Sequence, residues 1–339
     1  MNGRQIVFTD VNKAELWNFE LREPKDNEVI VKTAYSTISN GTEKANITGC
    51  PDVSIYSTET VAHFPRFLGY SSAGTVFKTG KNVKKFKIGD RVCSITGQHS
   101  SYNYFAEENL VKVDDNVSLQ EASMAYISTF PMAALRKTKL EIGESALIMG
   151  LGILGAFAVM FAKAAGATPV IAVDPVESRR ELAEKLGADY VLDPTTSDFA
   201  DTVKKLTNGG ANVCVEVTGL GIGLNQALDC MAKFGRVALL GCTRDSDFTV
   251  DYYRKVHGPG ISLIGAHTLA RPNTESSQGL WSHTDDEKTY LNLIKYGRIN
   301  AKDLISEVHS PTEAPQVFYR LATDRNFPIG VQFDWEKVE

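Results

Sequence analysis

Three closely spaced glycines in the segment Gly150-Leu151-Gly152-Ile153-Leu154-Gly155 constrain this chain more than any other feature of its sequence. An unbroken apolar run at residues 146–149 precedes them and is typical of a strand buried on both faces of a parallel sheet. Small apolar residues from 153 to 165 follow and end at Gly166, as in a buried helix with a glycine stop. A chain with 27 glycines contains chance GxGxxG matches, so the flanking strand and helix make this one informative.

Further apolar runs recur after this motif, separated from one another by helix-like or polar segments. They are residues 169–173, 190–192, 213–217, 236–241 and 261–265. Strands that alternate with helices at this spacing imply right-handed βαβ units and a parallel sheet covered on both faces. Together with residues 146–149 they make six strands, which matches a doubly wound Rossmann sheet. We therefore predict an α/β protein.

The glycine motif predicts a dinucleotide site in which each glycine has a role. Gly150 permits the tight turn, Gly152 lets a pyrophosphate approach the backbone, and Gly155 lets the helix pack closely on the strand. The anion would then lie on the unpaired amides at the positive end of the helix, which begins with Ile153 and Leu154.

Asp174 follows Gly155 by 19 residues, at the end of the next strand, where an acid that binds a ribose is expected. A carboxylate there accepts hydrogen bonds from both ribose hydroxyls and repels a 2′-phosphate, so the sequence favours NAD over NADP. Arg179 and Arg180 lie on the following helix, where we expect solvated roles, and Arg179 is kept among the candidate cofactor-binding residues.

Other cofactor contacts are expected at the carboxyl ends of later strands, because ligands bind there in such sheets. The candidates are Thr218, Gly241, Cys242, Thr243, Ala266 and His267. We interpret Cys242 as a small buried residue rather than a reactive thiol.

Residues 1 to about 125 have a different character. Short apolar strands such as 29–33, and turns at Gly74 and Gly89, indicate a compact, barrel-like β domain. From about residue 275 the chain is polar, and it then offers a helix at 285–295 and an extended end at 330–335, which we interpret as returning to the first domain. The 339 residues therefore divide into domains 1–126 and 127–270 and a returning segment 271–339.

Charge and cysteine content exclude several classes of function. Lys and Arg number 36 against 41 Asp and Glu, and the net charge of −5 gives no general attraction to nucleic acid. No apolar run approaches the ~20 residues that span a bilayer, so we expect no membrane association. Five scattered cysteines without a Cys-x-x-Cys pair fit a reducing compartment. We expect a cytoplasmic protein with a small polar substrate.

Four further motifs accompany the glycine segment. They are Ser39–Glu43, Leu68–Gly74, which is similar to a GHExxG pattern, Gly89–Val92 and Ser128-Thr129. With the glycine segment they resemble the medium-chain dehydrogenase/reductase superfamily, the zinc alcohol and polyol dehydrogenases. The resemblance spans nearly the whole chain. It implies a β-rich, GroES-like catalytic domain, an inserted Rossmann domain and a homo-oligomer, either a dimer or a tetramer.

The resemblance breaks down at the zinc ligands of that family. The place of the first ligand, a Cys, holds Ser39, the His of the GHE holds Tyr70, and the third position falls at Ala125. Serine, tyrosine and alanine do not build the nitrogen and sulfur site that zinc prefers. Only Cys93 remains where the family has a four-cysteine structural lobe, so we expect neither zinc. A rival metal site, without ligand-like spacing, would use Glu43, His63 and His99.

Without a metal, oxidation of an alcohol still needs a group that takes up the hydroxyl proton. The candidates are Ser39, Thr42, Glu43, Tyr70, His99 and His267. The resemblance makes Tyr70 the first choice, oriented by Glu43 or Lys44, and it puts Thr42 in the place of the family's hydroxyl relay. An imidazole, with a pKa near ~6.5, is the easier base. Packing alone is the alternative role for Tyr70 and for both histidines.

The segment 265–283 is long, polar and aromatic. Its polar side chains and Trp281 suit a polyhydroxylated ligand, because hydroxyls need paired donors and acceptors and CH faces stack on an indole. We predict a zinc-independent, NAD-dependent dehydrogenase of a secondary hydroxyl on a sugar, polyol or cyclitol. Two alternatives stay open: a zinc-free quinone or enoyl reductase, a class that generally uses NADPH, and a cofactor-binding protein with vestigial activity. A solvated surface loop is the plainer interpretation of the segment.

Overall fold

The computed structural model describes residues 1–51, 53–54, 56, 60–243 and 247–338. The chain divides into two compact units. Unit 1 comprises residues 1–127, 287–297 and 304–339, and unit 2 comprises residues 128–286 and 298–303. In the described part of the chain, no helix is both long enough and apolar enough to cross a membrane.

Unit 1 is built mainly from antiparallel strands. Its elements are β1 (Asn2–Asp10), β2 (Lys13–Glu20), β3 (Glu28–Thr37), α1 (Asn40–Ile47), β4 (Arg66–Phe67), β5 (Ser71–Thr79), β6 (Arg91–Ile95), β7 (Tyr102–Ala106), β8 (Leu110–Lys112), α2 (Leu119–Ala122), β15 (Glu307–His309), α9 (Ala314–Thr323) and β16 (Val331–Asp334). The larger sheet has the order β15-β16-β3-β5-β6-β8, with β7 also paired to β3, and a smaller sheet has the order β2-β1-β4. Buried aromatic rings of Phe8, Phe318 and Phe333 lie in the core between β1, α9 and β16.

Unit 2 is a six-stranded, wholly parallel sheet with helices between its strands. Its elements are β9 (Ala146–Met149), α4 (Ile153–Ala164), β10 (Val170–Val173), α5 (Glu177–Lys185), β11 (Tyr190–Leu192), α6 (Phe199–Leu206), β12 (Ala211–Glu216), α7 (Gly221–Asp229), β13 (Met231–Leu239) and β14 (Ser262–Gly265). The strand order is β11-β10-β9-β12-β13-β14. Two more helices, α3 (Ala125–Thr138) and α8 (His283–Lys295), contribute residues to both units. Short 3₁₀ turns occur at 107–109, 301–304, 311–313 and 335–337, and a π turn at 253–257.

The predicted α/β class and six-stranded parallel sheet are confirmed. Every residue of β9 and β10 is buried, as expected for central strands that are covered on both faces. Nine residues of α4 are buried as well, because this helix is apolar on all sides. The segment from β9 to α4 therefore places the glycine motif at the carboxyl edge of the sheet.

The division into compact units differs from the predicted domains, which end the Rossmann domain at residue 270. The structure keeps residues through Asp286 in unit 2. The Arg271 guanidinium lies 3.1 Å from the Asp286 carboxylate and donates a 2.6 Å hydrogen bond to the Thr129 carbonyl, and both partners belong to unit 2. The arginine side chain is only 3% exposed, so this buried ion pair ties the polar segment to α3 and α8. The polar composition of residues 271–286 distinguished this segment in the sequence. Its assignment to unit 2 depends on the residues that it contacts, which the sequence does not reveal.

Candidate functional site

Five of the six candidate reaction residues come together in unit 1, around the start of α1. Ser39 is the residue at the N-terminal cap of this helix, yet its hydroxyl makes no capping hydrogen bond. The Glu43 carboxylate accepts the Ser39 backbone N–H instead, at 3.0 Å. The Ser39 hydroxyl accepts a hydrogen bond from the Tyr70 phenol. Glu43 therefore caps the start of the helix, and the Ser39 hydroxyl is available to accept the hydrogen bond from Tyr70.

Glu43 and His99 form a fully buried pair. Their side chains are 0% and 1% exposed, and His99 Nε2 lies 2.9 Å from Glu43 Oε2. On the other side of the ring, His99 Nδ1 lies 2.8 Å from Ser36 Oγ, which in turn accepts a 2.8 Å hydrogen bond from the Trp335 indole. While Ser36 Oγ accepts from the indole, it can donate its own proton to Nδ1. In that tautomer His99 donates from Nε2 to Glu43.

The loop that carries Tyr70 packs directly against His99. The His99 backbone N–H donates to the Leu68 carbonyl at 2.6 Å. Gly69 has φ +110°, and a Cβ at this position would lie 2.2 Å from the His99 backbone nitrogen. Only glycine fits here, because any side chain would meet the backbone of its neighbour.

The Tyr70 phenol is held as a neutral group. Burial raises its pKa above the ordinary value of 10, and hydrogen bonds with Ser39 and Thr42 lower it by less. Its ring meets that of Tyr126 edge to face, with centroids 5.5 Å apart. At neutral pH the Tyr70 phenol therefore keeps its proton and donates a hydrogen bond. It does not act as a phenolate base in this environment.

The side chains at the family's ligand positions do not fit zinc. Hydroxyl groups of Ser39 and Tyr70 hydrogen-bond to each other, and Ala125 offers a buried methyl group. Zinc prefers thiolate, imidazole and carboxylate ligands. Nowhere in the described residues do three or more His, Cys, Asp and Glu side chains group so as to hold a metal ion. In the alternative metal site of Glu43, His63 and His99, the Glu43 carboxylate contacts the His99 ring. His63, by contrast, is exposed on a loop.

The glycine motif in unit 2 has the geometry of a dinucleotide cradle. Gly150 has φ +94°, and a Cβ on Gly155 would lie 1.8 Å from the Gly150 carbonyl oxygen. By contrast, a Cβ on Gly152 would meet nothing within 4 Å, so the space above the first turn of α4 is open. Ile153 and Leu154 form that first turn, whose amides lack partners within the helix. These residues fit a bound pyrophosphate.

Asp174 is 4% exposed and follows β10. Its carboxylate accepts the backbone N–H groups of Leu151 and Val176, each at 2.9 Å, so it also fixes the glycine loop. Arg179, on α5, has its guanidinium 3.5 Å from Asp174 Oδ2, and Arg180 donates to the Asp174 carbonyl at 2.8 Å. Two cations therefore lie beside the predicted ribose acid, closer than solvated roles would place them.

A second buried carboxylate, which sequence reasoning missed, orders the loop after β12. Glu216 is 3% exposed and accepts the backbone N–H groups of Thr218 at 2.8 Å and Gly219 at 3.2 Å. Burial raises the Glu216 pKa, against the effect of these hydrogen bonds. The available signal was a lone carboxylate at the end of an otherwise apolar strand.

The remaining cofactor candidates line the carboxyl edge of the same sheet. A Cβ on Gly241 would lie 2.3 Å from the Gly219 nitrogen, so the loops that contain Thr218 and Gly241 touch each other. Cys242 is exposed, so its interpretation as a buried residue is wrong: it lies beyond the strand end. Thr243 is exposed too, while Ala266 is buried and its N–H donates to the Leu239 carbonyl at 3.1 Å.

His267 follows β14 and is the one reaction candidate in unit 2. Burial, and then the positive charge of Lys137, lower its pKa. Nearby, burial and the charge of Arg271 lower the pKa of His283 to about 3, and Thr129 Oγ1 lies 2.9 Å from its Nδ1. His283 is therefore neutral at physiological pH.

Trp281 does not offer both ring faces to a ligand. The Arg136 guanidinium lies over its ring, 3.7 Å from the centroid, and Arg136 also donates to Asp286 at 2.9 Å. This cation–π contact anchors the segment to α3. It leaves at most one face of the indole ring for stacking against a sugar.

Two family models match the chain: an alcohol dehydrogenase GroES-like domain over residues 25–158 and a zinc-binding dehydrogenase over residues 154–281. D-guloside 3-dehydrogenase of Escherichia coli K12 is 25% identical over 97% of this chain and 100% of that protein. L-threonine 3-dehydrogenase of Pyrococcus furiosus is 31% identical over 86% of this chain and 87% of that protein.

Solved structures share the fold. An E. coli oxidoreductase of unknown specificity superposes with a TM-score of 0.85 at 19% identity, over 98% of this chain and 99% of that one. An alcohol dehydrogenase of E. coli CFT073 with NADH superposes with a TM-score of 0.83 at 16% identity. A Sinorhizobium meliloti 1021 structure with NADP superposes with a TM-score of 0.81 at 18% identity. Each match covers 98% of this chain and 99% of the other chain. The chain therefore belongs to the medium-chain dehydrogenase/reductase superfamily, among the relatives of the zinc-binding alcohol dehydrogenases that act on CH–OH groups.

Proposed function

We propose that this protein is a zinc-independent, NAD-dependent dehydrogenase that oxidises a secondary hydroxyl of a sugar, polyol or cyclitol, or reduces the matching ketone. One observation carries the zinc-independent part: at two of the family's ligand positions, the Tyr70 phenol donates to the Ser39 hydroxyl. Two hydroxyls that satisfy each other replace a thiolate and an imidazole. The substrate class is supported by relatives named for a guloside and for threonine.

The residues of unit 2 fit the dinucleotide. Gly152 leaves space for the pyrophosphate on the first turn of α4, and the position of Asp174 just after β10 supports a contact with the adenosine ribose. A dinucleotide bound there would supply a hydride acceptor for the carbon that bears the hydroxyl. Asp174 favours NAD because a carboxylate repels a 2′-phosphate, whereas Arg179 beside it favours NADP.

The residues of unit 1 would manage the proton. Tyr70 and Thr42 hold the reacting oxygen by hydrogen bonds. The substrate hydroxyl gives its proton to Tyr70 Oη while the phenol proton moves to Ser39 Oγ. Ser39 then releases its original hydroxyl proton to solvent. Tyr70 stays neutral throughout, which agrees with its raised pKa. Such positioned proton transfer usually contributes about 10²–10⁴-fold to the rate.

The test combines metal analysis with a substrate screen. Purified protein is assayed for zinc and then for NAD- and NADP-linked turnover on sugars, polyols, cyclitols, quinones and enones. We expect turnover of a hydroxyl compound with NAD. We also expect a zinc content well below one atom per chain and no loss of turnover after a chelator is added. Stoichiometric zinc that is required for turnover would overturn the proposal, and so would turnover confined to quinones or enones with NADPH.

We further propose that the chain forms a homo-oligomer through β14. This strand is at one edge of the parallel sheet, and its Leu263 side chain is 42% exposed. An edge strand presents unpaired peptide groups that a second copy can join. Light scattering after gel filtration should give a multiple of 37.1 kDa, and a monomer mass would contradict the proposal.

A further inference from the structure

The buried pair of Glu43 and His99 needs an explanation. Side chains that are 0% and 1% exposed have left water, and a buried carboxylate without a partner is strongly destabilising. The rings of Phe318 and Phe333 lie against His99, with centroids 5.8 and 5.4 Å away. In such apolar surroundings, well-packed hydrophobic residues often stabilise a fold as well as an ion pair does. The pair is therefore better explained by the geometry that it imposes.

One end of that geometry is the start of α1. A Ser at the cap normally accepts a backbone N–H of the first turn, and this bond stabilises the start of the helix. Here Glu43 reaches back to the Ser39 N–H, so the serine hydroxyl is directed elsewhere. His99 holds the other oxygen of the same carboxylate and so fixes which way Glu43 points.

The other end is the loop before Tyr70. His99 donates its backbone N–H to the Leu68 carbonyl, and the close approach at Gly69 leaves no room between the loop and His99. One residue thus touches both segments whose side chains meet at the bond between Tyr70 and Ser39. Ser36, held by Trp335, contacts Nδ1 on the other side of the ring, and in the tautomer that accepts the Ser36 proton there, Nε2–H points to Glu43.

We propose that His99 is a positioning residue, which holds Ser39 through Glu43 and Tyr70 through residues 68–69 so that the two hydroxyls meet in a fixed geometry. The inference rests on the proposed function only for its kinetic consequence. The geometric part concerns the resting protein and is tested without substrate.

Two matched variants distinguish the contact of His99 Nε2 with Glu43 from the contact of His99 Nδ1 with Ser36. His99→Gln puts an amide where Nε2 lies and keeps a donor for Glu43, whereas His99→Asn puts its amide where Nδ1 lies and keeps the link to Ser36. Both retain the backbone bond to Leu68. Melting temperature and NADH affinity, which depends on unit 2, identify any variant that fails to fold.

The substrate-free readout is the ¹⁹F resonance of a fluorotyrosine placed at position 70. We expect His99→Asn to shift or broaden this resonance and His99→Gln to leave it close to that of the parent. Equal spectra for the parent and both variants, or equal changes in both variants, would overturn the inference. This readout stays decisive even if the screen finds no substrate, so failure of the proposed function is recognised separately.

The kinetic readout is a double-mutant cycle. With the identified substrate, His99→Asn should lower kcat at least about 10-fold with little change in KM, and His99→Gln should remain within about 3-fold of the parent. In a Tyr70→Phe background, His99→Asn should have no further effect, because residues that act through one another are not additive. Additive losses would show that His99 does not act through Tyr70.

Discussion

The Tyr70 phenol donates a hydrogen bond to the Ser39 hydroxyl, although the two residues are 31 positions apart in the chain. Tyr70→Phe removes the donor and leaves the ring packed on Tyr126. We expect kcat to fall at least about 10-fold with little change in KM, because the hydroxyl acts on the reacting oxygen rather than on binding. Steady-state kinetics check this, with the exposed Tyr319→Phe as the control. Turnover equal to that of the parent would reduce Tyr70 to a packing role.

Asp174 should determine the choice of dinucleotide. Asp174→Asn removes the charge that repels a 2′-phosphate, so the preference for NAD over NADP in kcat/KM should fall by about 10-fold or more. Arg179→Ala is the matched variant and should lower use of NADP while NAD is used as before. The ratio of the two kcat/KM values is the measurement. An unchanged ratio in Asp174→Asn would remove the ribose assignment.

Two glycines of one motif should respond oppositely to the same methyl group. In Gly155→Ala the new Cβ would meet the Gly150 carbonyl at 1.8 Å, so we expect the free energy of unfolding to fall by about 2–3 kcal/mol. Gly152 has φ −68° and ψ −173°, which alanine also adopts, and the added methyl has open space. Gly152→Ala should fold like the parent but bind NADH about 10-fold more weakly. Thermal denaturation and calorimetry measure the two effects, and unchanged NADH affinity in Gly152→Ala would contradict the cradle.

His283 should make stability depend on pH. Burial lowers its pKa from 6.5 to about 3, so the folded protein keeps it neutral while the unfolded chain takes up a proton below about pH 6.5. Because the unfolded state binds more protons, stability is complete above pH 6.5 and falls as the pH drops towards 3. Between pH 7.5 and 5 the parent should lose about 1–2 kcal/mol more than His283→Gln.

Denaturant unfolding at several pH values gives that difference. The exposed His257→Gln serves as the control and should follow the parent. Parallel curves for the parent and His283→Gln would show that His283 is not held neutral in the fold.

Local patterns in the sequence were enough to predict the parallel sheet of unit 2. The strand, glycine turn and helix around Gly150 are contiguous, and their spacing and polarity follow directly from parallel-sheet geometry. The positions of Asp174 and Thr218 could be predicted for the same reason, since strand ends in such a sheet share one edge. The lone carboxylate at the end of an apolar strand was the only signal for Glu216, and its partners, two backbone amides and the Thr218 hydroxyl, could not be predicted from the sequence.

The cluster in unit 1 could be predicted only as a set of residue types. His99 and Glu43 are 56 positions apart, and Trp335 is 299 positions from Ser36, so no periodicity connects them. Trp281 shows a related case. Its residue type suggested a sugar-stacking surface, and Arg136 leaves at most one face of the ring for that role. Contacts distant in sequence decide both cases.

The Glu43–His99 pair also bears on any attempt to build a zinc site from Ser39 and Tyr70. Ser39→Cys with Tyr70→His would supply two soft donors, but the carboxylate nearest to them is already engaged by an imidazole and a backbone amide. Ala125, at the third position, is 0% exposed, so a ligand introduced there would be buried as well. A zinc ion at this place would have to compete with the buried hydrogen bonds that run from Trp335 to Glu43, so such a design calls for several simultaneous substitutions.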